Sequence, residues 1–483
     1  MSRPSLVVHG HFYQPPRLDP FTGTTPLDPT AAPAHDWNER ISADCYRPNA
    51  ELGNLGAISW DVGPTLAGWM EHGDPVAYRG FVDGDAGQNG MAQPFHHAIL
   101  PLASAADRLT EIRWGIRDFE VRFGRRPTGM WLPETAVDLP TLRLLAEHGI
   151  TYTILAPWQV QEDGLRDARR PARIDLSDGR SIVVMRYDGL LSAAVSFEPW
   201  STVDADAFVA GHVARALASS TPDDEEDRLL VIATDGELYG HHQPSREHFL
   251  SRLVGRTVPS DLPYDRPSMA EAVARAVAGG LDLGTLRERT SWSCEHGIDR
   301  WKGACGCVAD GEWKAPLRSA LDRLAGGVDA ATDQVARGLS GSPDPWSLRD
   351  TWVDVVLGVR SAGEVVQEEA GTTAREDAAV LTRLMEAQRW RLSMFASCAW
   401  FWDRADRIET AGALRAATRA ARLIDGIALT GLERRLVDDL RLIEADGIDG
   451  VALLETALRA VGAPAGLASG PENPSARGLR ATG

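Results

Sequence analysis

From Leu6 to about Thr290, short β-rich runs alternate with segments of helical period, and this order restricts the region to a parallel α/β sheet or barrel. Strands are expected at Leu6–Val8, Thr128–Trp131, Tyr152–Leu155, Ile182–Met185, Leu229–Ala233 and Leu281–Leu286. Between them, Leu139–His148, Asp206–Ser219, Arg246–Val254 and Met269–Ala278 space apolar residues by three and four, so each predicts an amphipathic helix. An α/β barrel, complete or incomplete, fits this pattern best.

From Glu312 onward the period is helical. Leu317, Ala320, Leu321 and Leu324 form one stripe, with similar stripes in 378–402, 411–423 and 432–443. A helical bundle without β signal is expected, either as a second domain or as a wall closing one side of the barrel. Residues 462–483, rich in Gly, Pro, Ala and Ser, are expected to be disordered. The boundaries drawn are 1–310 for the barrel, 311–461 for the helical domain and 462–483 for the tail; at roughly 150 residues per domain, 483 residues suit two domains and a tail.

Composition removes several function classes. Fifty Lys and Arg against 68 Asp and Glu leave a net charge of −18, which repels nucleic acid and anionic membrane surfaces. Lys302 and Lys314 are the only lysines and neither lies in a glycine-rich loop, so neither a phosphate-binding loop nor a Schiff-base enzyme is expected. Five cysteines, an odd number in a long chain, argue against a disulfide framework and for a reducing compartment. Residues 1–10 carry no apolar signal core, and no run approaches the ~20 apolar residues of a spanning helix, so the expected location is cytoplasmic.

Reacting groups of α/β barrels lie just past the C-terminal ends of strands, where loops converge. Leu6–Val8 runs into His9-Gly-His11, Thr128–Trp131 into Leu-Pro-Glu134, and Leu229–Ala233 into Thr-Asp235-Gly-Glu237-Leu-Tyr-Gly-His241-His242. A carboxylate directly after an apolar strand is partly desolvated, so it either binds something or becomes a proton donor. Glu134 and Asp235 both qualify, and two such groups facing a sugar ring supply a nucleophile and a general acid. On position alone each could equally cap the next helix.

The runs His9-Gly-His-Phe-Tyr-Gln-Pro-Pro, Gln93-Pro-Phe-His-His97-Ala-Ile-Leu-Pro-Leu102, Gly129-Met-Trp131-Leu-Pro-Glu134 and Thr234-Asp235-Gly-Glu-Leu-Tyr-Gly-His241-His242 resemble, in order, four motifs of glycoside hydrolase family 57. The resemblance covers roughly residues 5 to 310. It implies an incomplete (β/α)7-type barrel followed by helices, retaining action on α-glucans, and no metal or other cofactor. By the same resemblance Glu134 is the nucleophile and Asp235 the general acid/base, while His11, His97, Trp131 and His242 line the pocket. One departure is the Phe12-Tyr13 pair between His11 and Gln14-Pro15, where many members read His-Gln-Pro. Ser397-Cys-Ala-Trp-Phe-Trp402 is similar to an uncharacterised C-terminal domain carried by one branch of that family.

The segment from Ser291 to Cys307 holds Cys294, His296, Cys305 and Cys307, a set that could close a structural zinc site. Its Cys-x-His and Cys-x-Cys gaps are tighter than usual for zinc, and the preferred reading is a substrate-facing loop carrying Trp292 and Trp301. Two other readings stay open. One is a metal-dependent carbohydrate deacetylase, with His9, His11 and Asp235 as the metal triad. The other is a catalytically inactive sugar-binding protein. An oligo- or polysaccharide is the expected partner; hydrolysis, transfer or branching, and oligomeric state, are not determined by sequence.

Overall fold

The computed structural model describes residues 3–161, 169–218, 228–256, 262–371, 374–445 and 447–459. The 462–483 tail lies outside the described residues. The chain forms two compact units, one of Met1–Gln14, Asp28–Ala103 and Phe119–Gly297, the other of Pro15–Leu27, Ser104–Asp118 and Ile298–Gly483.

In the first unit the strand Ser5–Phe12 is central and parallel to Ser59–Val62 on one side and Leu229–Asp235 on the other, with Gly90–Met91 beyond Ser59–Val62. Parallel bridges Ala92 to Met130 and Gly129 to Tyr152 carry the order on to Tyr152–Leu155, which pairs in parallel with Ser181–Arg186. The Asp188 N–H then donates to the Val231 carbonyl at 2.7 Å, returning the order to Leu229–Asp235. This is a barrel of the (β/α)7 type, and it is incomplete: the Gly129–Met130 position consists of bridges where Thr128–Trp131 was expected as a strand.

Other expectations also shift. Leu281–Leu286 divides into Asp282–Leu283, parallel to Ala172–Asp175, and Thr285–Leu286, antiparallel to Val160–Gln161. Gly284 marks the break, where a Cβ would come within 2.9 Å of both Ala172 and Val160. The strands Ser59–Val62 and Gly90–Met91 were not expected, because the first is half polar, with Ser59 and Asp61, and the second is only two residues long, so neither shows the apolar run that marks the others.

Alternation along the strands decides what faces inward. Leu6, Val8, Trp60, Val62, Leu230 and Ile232 pack in an outer cluster with helix residues such as Leu66 and Leu250. Val7, Tyr152, Ile154, Met185, Val231 and Ala233 fill the interior. Because successive side chains point to opposite faces, His9 and His11 follow Val7 inward and Asp235 follows Ala233. The apolar barrel floor thus gives way to a polar mouth within one strand length.

The second unit is helical, built on Lys314–Gly338, Arg375–Ser393 and Ile408–Ala428 with Leu432–Leu440 and Gly450–Arg459. Leu317, Ala320, Leu321 and Leu324 are all buried, as their spacing predicts. Glu444–Ala445 and Ile448–Asp449 form a short antiparallel pair, so the region is not wholly without β structure. Its core contains charge: Asp107 accepts from Arg349 at 3.0 Å and Arg391 at 2.5 Å, and Arg391 also reaches Asp329 at 2.6 Å. Burial raises the Asp107 carboxyl, but Arg391 and Arg349 prevail and hold it below the usual range. No helix among the described residues is long and apolar enough to cross a membrane.

Candidate active site

Strand register places three ionisable groups in one row, since His11 is paired with Asp61 on one neighbouring strand and with Asp235 on the other. Asp61 is fully buried and accepts from His9 Nε2 at 2.9 Å and His11 Nδ1 at 2.8 Å, with Gln93 Nε2 as a third close donor. Burial alone would make His11 neutral, but the Asp61 carboxylate, with Asp235 and Glu237 behind it, raises its pKa to about 9. His9 and His97 are pushed the other way, chiefly by burial. His11 is therefore an imidazolium whose Nε2–H meets the neutral His97 Nε2 at 3.3 Å.

Tyr13 covers this pair, its ring stacked on His97 at 3.7 Å. The Phe12-Tyr13 departure from the His-Gln-Pro spacing thus has a physical function: Phe12 enters the outer core and Tyr13 caps the histidines.

Glu134 sits on a turn that ordinary residues avoid. Its φ is 57° and that of Thr135 is 49°, two successive non-glycine residues in the left-handed region, where each costs on the order of 1 kcal/mol or more. The surroundings over-determine the turn. Thr135 exchanges hydrogen bonds with the Gln159 side chain, both at 2.8 Å, and the Trp292 N–H donates to the Glu134 carbonyl at 3.0 Å. The Glu134 carboxylate is held by Oε2, which accepts the Ser293 hydroxyl at 2.7 Å and the Trp292 indole N–H at 3.3 Å. Oε1 remains available for a ligand. Burial raises the Glu134 carboxyl above its usual range, and the Asp235 charge adds to this against the opposing Ser293 bond.

Asp235 differs in having exposed surface at the mouth, although the protein packed around it still raises its carboxyl; the His11 imidazolium is the main restraint. Its successor must be glycine, since a Cβ on Gly236 would lie 2.3 Å from the Phe12 ring. Glu237, only 4% exposed, is turned inward, and its Oε1 accepts from the Tyr46 hydroxyl at 2.6 Å, Tyr13 N–H at 3.3 Å and Gln14 Nε2 at 3.4 Å. It fastens the loop after the first strand.

The expected site residues divide between the mouth and the layer beneath it. His242 is exposed and within electrostatic reach of Asp235, and Trp292 is partly exposed. Trp131 is wholly buried, stacked under His9 at 4.9 Å and His11 at 5.0 Å and edge-on to Trp292 at 5.0 Å, so it supports the site without an open face. Trp301 was expected to face substrate, but it is 0% exposed in the second unit and has no face open to a ligand, its ring having been drawn into packing. The His9, His11, Asp235 metal triad does not form here. Both His9 ring nitrogens are occupied, by Asp61 and by Ser59 Oγ at 3.1 Å, and His11 Nδ1 is bound to Asp61. Sequence reasoning missed Asp61 and Ser293. Neither carried a signal of its own: Asp61 stands in a four-residue strand in which only Trp60 and Val62 are apolar, and Ser293 lies in a loop.

Residues 90–258 match the family described as glycosyl hydrolase family 57, and residues 310–447 match a domain of unknown function, DUF3536. No curated protein matches the sequence. An exo-type maltose-forming amylase from Pyrococcus sp. ST04 shares 17% identity and superposes with a TM-score of 0.71, over 94% of this chain and 88% of that one. A branching enzyme from Pyrococcus horikoshii shares 17% identity with a TM-score of 0.55, over 95% and 94%. For an α-amylase from Thermotoga maritima the values are 13% and 0.54, over 95% and 96%. At these identities the likeness is one of fold. The match to glycosyl hydrolase family 57 spans residues 90–258, the part of the chain that carries the strained Glu134 turn and Asp235.

Proposed function

We propose that this chain is a retaining α-glucan hydrolase or glucanotransferase in which Glu134 is the nucleophile and Asp235 the general acid/base. The observation that carries the reading is the contrast between the two carboxylates: one is fixed through a single oxygen by Ser293 and Trp292, the other is exposed at the same barrel mouth. In the first step Glu134 Oε1 attacks the anomeric carbon, the glycosidic C–O bond breaks, and Asp235 gives its proton to the leaving oxygen. In the second, Asp235 takes a proton from water or a sugar hydroxyl as that oxygen displaces Glu134, restoring the original configuration. Trp292 and His242 are suited to contact sugar directly. His11, His97 and Trp131 form the layer that orients them.

The α-glucan part of the proposal draws on the family match and on the maltose-forming amylase, branching enzyme and α-amylase among the structural relatives. A cytoplasmic setting belongs to the same proposal and is supported by five cysteines without a disulfide. The test is product analysis on maltooligosaccharides and glycogen, with NMR of the first-formed anomer. New reducing ends or longer chains with the α configuration retained are expected. β-Anomeric first products, or no turnover on any α-glucan, would contradict it.

A further inference from the structure

We propose that Cys294, His296, Cys305 and Cys307 bind one zinc ion that staples the loop carrying Trp292 and Ser293. One donor atom from each residue lies within 4.8 Å of all the others. A tetrahedral zinc site with metal–sulfur bonds of about 2.3 Å has donors roughly 3.8 Å apart, so small side-chain rotations bring the set into coordination. Three thiols and an imidazole suit zinc, a borderline-soft ion, and four protein donors leave no open position, which makes the site structural.

The tight spacing that counts against zinc in the sequence has a conformational explanation. Cys294 and His296 are the first and third residues of a turn closed by the Gly297 N–H on the Cys294 carbonyl at 3.0 Å. Cys305 and Cys307 occupy the same two positions of a turn closed by the Val308 N–H on the Cys305 carbonyl at 3.3 Å. Two like turns thus present two donors each. Gly297 has a φ of 75° and no room for a Cβ, which would lie 2.1 Å from the Arg289 carbonyl oxygen, while the Ser291 hydroxyl secures the Gly297 carbonyl at 2.7 Å. The whole cluster lies within fourteen consecutive residues, and Cys294 directly follows Ser293, a donor to Glu134 Oε2. An ion here fixes the residues that hold that carboxylate.

Metal binding does not depend on the glycosidase reading and is read without glucan; only the consequence for Glu134 rests on that reading. The full chain, purified under reducing conditions from zinc-supplemented cells, is analysed by plasma mass spectrometry, and the metal-stripped chain is titrated with Co(II). About one zinc per chain is expected, with intense tetrahedral Co(II) bands and sulfur-to-cobalt charge transfer, and Cys305→Ser with Cys307→Ser should lower zinc content at least about fivefold. Loss of the ion should lower kcat roughly tenfold with little change in KM. A wild-type chain with reduced thiols and neither zinc nor Co(II) bands would overturn the proposal, as would zinc fully retained in the double variant. The cobalt titration uses the wild-type chain, so the test stands even if the variant does not fold.

Discussion

The Ser293 hydroxyl donates to Glu134 Oε2 at 2.7 Å, although 159 residues separate the two in sequence. This bond favours the ionised carboxylate and opposes the burial that raises its pKa. Ser293→Ala should remove a charge-assisted bond of roughly 1.5–3 kcal/mol, cutting kcat/KM by about tenfold or more. It should also move the acidic limb of the pH–rate profile upward, because Glu134 then protonates more readily. A loss of rate with the limb unmoved would deny the bond its electrostatic role.

Glu237 should prove to be a supporting group. Burial, reinforced by Asp235 against the Tyr46 bond, raises its carboxyl to about 7. The folded pKa lies above the unfolded value of about 4.3, so its contribution to stability is complete below that value and is lost as pH rises through 7. Urea midpoints measured between pH 4 and pH 8 should fall accordingly, and Glu237→Gln should flatten this decline. Activity should suffer less in Glu237→Gln than in Asp235→Asn; equal losses would mean that the acid is wrongly assigned.

Asp61 should act through His11. With His11 held at about 9, its pairing stabilises the fold fully below pH 6.5 and loses effect as pH rises through 9. Asp61→Asn removes the anion responsible, so the His11 ring, followed by nitrogen-15 NMR, should become neutral at pH 8. Glu134 and Asp235 both lose a cationic neighbour, and both limbs of the pH–rate profile should move to higher pH. An unchanged His11 titration would show that Asp61 does not set its charge.

In the helical unit, Asp107→Ala should leave Arg349 and Arg391 buried without their shared partner, at a cost of about 3–5 kcal/mol. The wild-type contribution is present above the unfolded aspartate pKa of about 3.9 and is lost as pH falls through the lower folded value. Chemical denaturation at pH 7 checks the magnitude; a cost below about 1 kcal/mol would place the network among pairs that matter little.

What could be read from the sequence depended on the range of the interaction. Leu6–Val8 and Leu229–Ala233 were legible because apolar strands carry their own signal, and the polar residues after them mark the barrel mouth. Asp61 was not, since its four-residue strand ends at Gly63-Pro64 and its role appears only when register sets it beside His11. Thr128–Trp131 has strand composition but makes only isolated bridges, because its chain turns at once into the strained Glu134 loop. Trp301 shows the reverse failure: an aromatic near a motif is as easily core as ligand. The four donors around Cys294 looked too tightly spaced until two turns folded them together.

The most direct test of the central claim is to trap the intermediate. An activated α-glucosyl fluoride does not need the acid in the first step, whereas water or an acceptor still needs the base in the second. Intact-protein mass spectrometry after mixing should show a glycosyl adduct accumulating on Asp235→Ala, peptide mapping should place it on Glu134, and Glu134→Ala should form none. An adduct on Glu134→Ala, or none on Asp235→Ala beside a clear one on the wild type, would contradict the assigned roles.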